Sequence, residues 1–240
     1  MNLKDLIIEY PQALSGDICD RLIREFEKSD DKIEGTSGAG YNPEIKDSTD
    51  LSISCFTHIP IWDELDSQIH EIFSPYVSKY VEHINSKLGH NFYTNRIIDS
   101  GYQIQKTVSN GHYAWHTDDA QVCLMDTATD HYDIAIEVRF ATYIFYLNDQ
   151  KDNFEGGTTD FLFGDTIHSI IPEKGKLLCF PANDLYVHRG SVVTSGKKYL
   201  MTGWLSNARM ANLKNGGSNS KQIRQSNINM GKTPLSMKLL

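Results

Sequence analysis

The chain has only four cysteines, Cys19, Cys55, Cys123 and Cys179, and no two of them stand in a C-x-x-C arrangement. That spacing gives no zinc or dithiol redox motif, so buried free thiols are the default. Long apolar runs are also missing. No stretch approaches the ~18 apolar residues of a membrane span, and residues 1–10 lack a basic start followed by an apolar run, so the expectation is a soluble, cytoplasmic protein without a membrane partner. Basic residues are few, 23 against 31 acidic ones, for a formal net charge of -8. The shortage is uneven: residues 206–240 carry six Lys or Arg and no acid, which leaves a strongly acidic body. Such a body repels phosphate backbones, which makes nucleic acid a poor substrate and favours a neutral or cationic one. The sequence carries no signal of oligomeric state.

What is present is enough for one sizeable core, with 40% hydrophobic and 10% aromatic residues in 240. Ser15 precedes Ile18, Leu22, Ile23 and Phe26, an apolar stripe at helical spacing behind a hydroxyl N-cap. Residues 36–50 are rich in Gly, Asn, Ser and Asp and read as a loop able to serve as a lid, before a strand over 51–57. From Ile61 the steps to Leu65, Ile69, Ile72, Tyr76, Tyr80, Ile84 and Leu88 predict an amphipathic helix that Pro75 kinks or splits.

After Asn91 the pattern changes to short alternating runs bounded by Gly, Asn and Asp. These predict strands over 102–107, 113–118, 134–147, 158–163, 166–171, 176–180, 186–188 and 198–205. Many short strands without intervening helices, preceded by helices, predict a mainly β jelly roll braced by an N-terminal helical layer. The expected organisation is a single domain over 1–206, with helical support and a loop in 1–90 and the β core in 91–206. Residues 207–240 form a basic polar tail, expected to be an irregular wrap or disordered.

In His116-Thr117-Asp118 two potential ligands sit two apart on a predicted strand, so their side chains leave one face about 7 Å apart along the chain. Completed by a distant histidine, they make a two-His-one-carboxylate facial triad that leaves three positions of an iron(II) octahedron open. Asp119 points the other way. His188 is the leading third ligand because it follows the apolar run 177–180 and a Pro-Ala-Asn-Asp turn; His131 and His168 compete with it. His112 and His116 are four apart but lack the H-E-x-x-H residues of a zinc protease. Alternation places Lys198, Leu200, Thr202 and Trp204 on one face, where a lysine among apolar neighbours needs an anion. The plainer alternative is a solvated strand end, since Lys197 adjoins it. Similarly, Val138, Phe140, Thr142, Ile144 and Tyr146 share a face that is either plain core or half of a carboxylate clamp.

The order and spacing of these residues resemble the prolyl 4-hydroxylase branch of the 2-oxoglutarate and iron(II)-dependent oxygenases. The matching block runs from Gln103 through Tyr113-Ala114-Trp115-His116-Thr117-Asp118, then Arg139-Phe140-Ala141-Thr142 with Tyr146-Leu147-Asn148-Asp149. It continues with Gly156-Gly157, Pro172-Glu173-Lys174-Gly175, His188, and Lys198 with Trp204. Upstream, Lys46-Asp47-Ser48 is similar to the basic-x-Ser element of that family.

The resemblance implies a double-stranded β-helix, cupin-like, with iron(II) held by His116, Asp118 and His188. It implies 2-oxoglutarate as cosubstrate with O2, and ascorbate as a further candidate. The far carboxylate of 2-oxoglutarate would pair with Lys198 and the Tyr146 hydroxyl, with Thr142 and Thr202 lining the pocket. Arg139 and Tyr113 would face the substrate, and Trp204 would pack beside the site. Strict alternation, however, sets Arg139 opposite Tyr146 and Tyr113 opposite His116, so those two reach the site only through bulges. A further departure is Thr107 and Lys106 where many relatives carry a tyrosine. The implied reaction hydroxylates a C–H bond while 2-oxoglutarate is oxidised to succinate and CO2. A halogenase is disfavoured, because Asp118 fills the position a chloride needs. Prolyl residues in a peptide or protein lead as substrate, and free proline or another small amino acid follows. From a different class, a non-catalytic jelly-roll binding module would keep His116 and His188 as core residues.

Overall fold

The computed structural model describes residues 2–38, 40–91, 97–125, 134–211 and 238–239. Among these residues no helix is long and apolar enough to cross a membrane. Two long helices come first. In α1 (Gly16–Lys28) the Ser15 side chain accepts from the Ile18 amide, and Cys19, Leu22 and Phe26 are buried. This is the stripe the sequence shows, with one orphan helix donor satisfied by the cap.

Helix α2 (Pro60–Leu88) begins with proline at its first turn, where the missing N–H costs nothing, and ends at Gly89 in the left-handed region at φ 69°. Pro75 does not split it. Ile69 and Phe73 before the proline and Val77 and Tyr80 after it are all buried, so packing of one continuous face outweighs the lost backbone bond.

The β core is a double-stranded β-helix, built from a major and a minor antiparallel sheet. The major sheet runs in the order Ile8–Tyr10, Leu177–Pro181, Ile134–Tyr146, Val193–Ala211, Gln103–Val108, Thr49–Ser52, Ile33–Glu34, with further short strands joined to its two long central strands. The minor sheet runs Thr166–Ile170, Thr159–Phe163, His188–Gly190, Tyr113–His116. Helix α2 lies against the outer face of the major sheet, where Phe73 meets Tyr143 at 4.3 Å and Phe145 at 5.4 Å between ring centroids. The inner face meets the minor sheet, with Phe161 against Phe180 at 4.8 Å. Phe73 and Phe161 are fully buried, and truncating either to Ala costs about 3–5 kcal/mol by the usual large-to-small scale.

Several boundaries differ from the sequence expectation. The strand expected over 198–205 spans Val193–Ala211 and pairs with the whole of Ile134–Tyr146, so the β core continues past the expected boundary at 206. The segment expected as a strand over 51–57 pairs only through Ser52 and then turns as a 3-10 helix over Ile53–Cys55. Short strands that carry little alternation, such as Ile8–Tyr10 and Ile97–Asp99, are placed by their pairing with distant strands. Most of the basic tail lies outside the described residues.

Candidate active site

His116 ends its strand and His188 begins the next one in the sheet, and the two are direct cross-strand partners. Asp118 lies two residues beyond the strand end, so the backbone leaves the sheet before it and brings the carboxylate round to the imidazoles. One ligand atom from each of His116, Asp118 and His188 lies within 4.8 Å of the others. His131 is outside the described residues, and His168, 6.5 Å from Phe161 between ring centroids, is not part of this group.

Each imidazole is oriented by a backbone carbonyl two residues upstream. His116 Nδ1 is 2.8 Å from Ala114 O, and His188 Nδ1 is 3.0 Å from Tyr186 O. A carbonyl only accepts, so both Nδ1 atoms carry the proton and both Nε2 lone pairs are left for a ligand. The Nε2 atoms point at Asp118, His116 to Oδ1 at 3.7 Å and His188 to Oδ2 at 3.5 Å.

Burial, then the neighbouring His188 imidazole, pushes His116 down to about 4 against the pull of Asp118, so it is neutral at physiological pH. Burial works against the Asp118 carboxylate, but the two histidines and the Thr142 hydroxyl, which donates to Oδ2 at 2.6 Å, hold it below the usual carboxylate range. Two imidazoles with free Nε2 atoms and one carboxylate converging on one point are the donor set that suits iron(II) with open positions.

The triad opens into a cavity of about 420 Å3 between the two sheets. Lys198, Leu200, Thr202 and Trp204 all line it, as alternation predicts. The solvated-end alternative for Lys198 does not hold, because the residue is 3% exposed. No carboxylate of the described residues lies in salt-bridge range of its ammonium, and burial lowers it to about 8. A buried cation with no carboxylate in contact range is a candidate partner for an anion.

The other polar groups sort differently from expectation. Tyr146 is fully buried and is not among the residues lining the cavity; its hydroxyl donates to Thr159 Oγ1 at 2.7 Å. Thr159, which the sequence reading passed over, does line the cavity. Having accepted from Tyr146, its hydroxyl keeps its own proton to give. Its signal was its alternation with Phe161 just after Gly156-Gly157. Thr202 lines the cavity but gives its hydroxyl to Tyr143 O at 2.8 Å, and Thr142 gives its own to Asp118.

Both required bulges are present. Arg139 pairs with Ser206 while Ala141 pairs with Leu205, so Phe140 is the extra residue and Arg139 changes face. Its guanidinium then stacks 3.8 Å above the centroid of the Trp204 ring and lines the cavity. On the other sheet His188 pairs with His116 while Gly190 pairs with Tyr113, and the extra residue turns Tyr113 to the side of His116. Their rings stack at 3.7 Å and 17°. Burial, then Asp118, raises the Tyr113 phenol to about 12, so it stays protonated.

The Trp204 indole N–H is buried with no partner in hydrogen-bond geometry, yet lies close enough to Asp118 to favour its charge. Lys46 sits 5.4 Å from the Tyr113 ring and pairs with Asp50 at 2.5 Å, both buried. The loop expected as a lid contains a small hairpin, Thr36–Ser37 with Gly40–Tyr41, and residues 36–38 line the cavity. At the position where relatives carry tyrosine, Thr107 lines the cavity and Lys106 turns away to Glu27 at 2.8 Å.

Residues 102–206, which contain His116, Asp118, His188, Thr159 and Lys198, match the family model of the 2OG-Fe(II) oxygenase superfamily. The chain carries a 2OG-Fe(II) oxygenase domain. No curated protein matches the sequence, but many solved structures share the fold. The chain is similar to a prolyl hydroxylase from Trichoplax adhaerens solved with a hypoxia inducible factor oxygen degradation domain peptide fragment, with a TM-score of 0.59 at 16% identity over 84% of this chain and 83% of that one. It is similar to the viral collagen prolyl hydroxylase of Paramecium Bursaria Chlorella virus-1 in its 2OG complex, with a TM-score of 0.53 at 20% identity over 85% and 97%. It is also similar to a Pseudomonas putida prolyl-4-hydroxylase, with a TM-score of 0.55 at 15% identity over 85% and 92%. That domain uses iron(II), 2-oxoglutarate and O2, and the triad and the unpaired Lys198 fit the first two on chemical grounds.

Proposed function

We propose that this oxygenase hydroxylates prolyl residues in a peptide or protein, converting 2-oxoglutarate and O2 to succinate and CO2 with one oxygen atom passing to the substrate C–H. The observation that carries the reading is that one cavity gathers the triad, the buried Lys198 with Thr159, and Tyr113, Arg139 and Trp204. Lys198 and Thr159 suit the diacid, and Tyr113, Arg139 and Trp204 are left for the substrate. Iron(II), when bound, supplies the chemistry that no side chain here has, oxidation of an unactivated C–H bond by O2.

The protein's own residues do the rest. The Nδ1 bonds of His116 and His188 keep both imidazoles aimed, with Nε2 left free. Lys198 selects a cosubstrate with a second carboxylate, a charge-assisted contact worth roughly 1.5–3 kcal/mol net. The Arg139–Trp204 stack presents a flat, partly desolvated cation able to hold a peptide carbonyl. The similarity to prolyl hydroxylases in the order of these groups supports the choice of a prolyl side chain, and the acidic body suits a neutral or cationic peptide.

The test is a panel of proline-containing peptides, free proline and other amino acids, and methylated oligonucleotides, incubated with iron(II) and 2-oxoglutarate and read by mass for gain of one oxygen. Hydroxylated peptide is the expected product. Oxygen gain confined to free amino acids, or loss of methyl groups from the oligonucleotides, would displace the reading.

A further inference from the structure

Thr142 stands on Ile134–Tyr146, directly opposite Trp204 on Val193–Ala211, and faces the cavity. Its place in the pattern gives it to the 2-oxoglutarate pocket, but its hydroxyl is engaged elsewhere, donating to Asp118 Oδ2 at 2.6 Å. The three metal-binding residues differ in how they are held. His116 and His188 lie within paired strands, and each ring is fixed by a carbonyl of its own backbone. Asp118 lies past the end of its strand, which closes at His116, and among the described residues the hydrogen bond to its carboxylate comes from a side chain, that of Thr142.

A carboxylate free to rotate can offer a metal one oxygen or both. With both engaged it takes two coordination positions, and the open positions that a facial triad leaves fall from three to two. A hydrogen bond to Oδ2 removes one lone pair from that oxygen and fixes the carboxylate plane, while Oδ1 lies 3.7 Å from His116 Nε2.

We infer that Thr142 is a positioning residue for Asp118: its hydroxyl holds Oδ2 and so fixes the plane of the carboxylate that would bind the metal. The inference rests on the triad reading given above. It assigns to Thr142 a role toward the metal rather than toward 2-oxoglutarate, and it gives the threonine a reason that the valine of equal shape would not satisfy. Partners that orient a metal ligand from behind commonly account for about 10–100-fold in metal affinity.

The test is an anaerobic titration of the metal-free protein with Fe(II) against a competing chelator, followed by a 2-oxoglutarate titration at saturating Fe(II), for wild type, Thr142→Val, Thr142→Ser and His188→Ala. Thr142→Val is expected to weaken Fe(II) binding by about tenfold or more. Thr142→Ser, which keeps the hydroxyl, restores most of it, and 2-oxoglutarate affinity at saturating metal shifts less than metal affinity does. Thermal melting of the metal-free forms shows whether each variant folds, and Thr142→Ala replaces the valine variant if that one does not. Wild-type Fe(II) affinity in the variants lacking the hydroxyl overturns the inference, and so does a defect confined to the 2-oxoglutarate titration. Equal Fe(II) binding by wild type and His188→Ala would instead remove the triad reading itself, and this inference with it.

Discussion

His116 and His188 face each other as a direct pair across two antiparallel strands, their ring centroids 4.2 Å apart. They are far apart in the chain, and the pairing of Tyr113–His116 with His188–Gly190 is what makes them neighbours. Directly opposed side chains in such a ladder start about 4.5–5.5 Å apart at Cβ, which suits two ligands of a single ion. The candidate metal site is therefore tied to sheet register, and a slip of one residue would turn one imidazole away.

Lys198 should control the cosubstrate. Lys198→Ala should raise the dissociation constant for 2-oxoglutarate by about tenfold or more, since ~1.4 kcal/mol is a factor of ten. Because burial lowers the Lys198 ammonium to about 8, the charged form that binds the diacid prevails below that pH and is lost above it. Wild-type affinity should therefore fall as pH rises past about 8, while Lys198→Arg, charged throughout, should show a flat profile. A wild-type affinity unchanged between roughly pH 7 and 9 would contradict this assignment.

Tyr146 should act through Thr159. Its hydroxyl donates to Thr159 Oγ1, and Thr159 lines the cavity. Thr159→Val should weaken 2-oxoglutarate binding more than Tyr146→Phe does, and the double variant should resemble Thr159→Val, as expected for residues in one chain. Calorimetric titration of the three proteins decides it. A larger loss in Tyr146→Phe would restore the direct contact that the sequence pattern implies.

The buried pair Lys46–Asp50 should matter to stability in a lopsided way. Burial outweighs Lys46 and holds the Asp50 carboxyl above its usual range, so the carboxylate is costly once its partner is gone. Lys46→Met alone should destabilise by about 3–5 kcal/mol, and adding Asp50→Leu should recover much of that. Denaturant unfolding of the single and double variants measures it; equal stabilities throughout would show that the pair is solvated.

Much of this arrangement is legible in the sequence. Alternation alone puts Lys198, Leu200, Thr202 and Trp204 in one cavity, because a two-residue period survives wherever a strand is regular. The faces of Arg139 and Tyr113 are not legible, since each depends on one extra residue whose position is set by pairing with a distant strand. Alternation marks where bulges would be needed but cannot show that they exist. Tyr146 illustrates a second limit: its face is read correctly, but which hydroxyl of a buried pair reaches the cavity depends on packing between sheets. Pro75 illustrates a third, because local helix propensity yields to a buried face that continues on both sides of it.

The arrangement of Arg139 is itself testable. Its planar cation lies on the Trp204 ring at 3.8 Å, a stack that an ammonium does not reproduce. Arg139→Lys should therefore lower kcat/KM for the hydroxylated peptide by about tenfold or more, a loss of ~1.4 kcal/mol in transition-state binding. Steady-state kinetics with near-normal values in Arg139→Lys would show that charge alone suffices.

The central claim is that His116, Asp118 and His188 hold the iron of a 2-oxoglutarate oxygenase, and succinate formation measures it most directly. Wild-type protein supplied with iron(II), 2-oxoglutarate and O2 should form succinate, and chelation of the metal should stop it. His116→Ala, Asp118→Ala and His188→Ala should each abolish turnover while melting close to wild type in the metal-free state, since removing a ligand from an open cavity costs the fold little. Undiminished succinate formation by His188→Ala, or none by wild-type protein loaded with iron(II), would contradict the account.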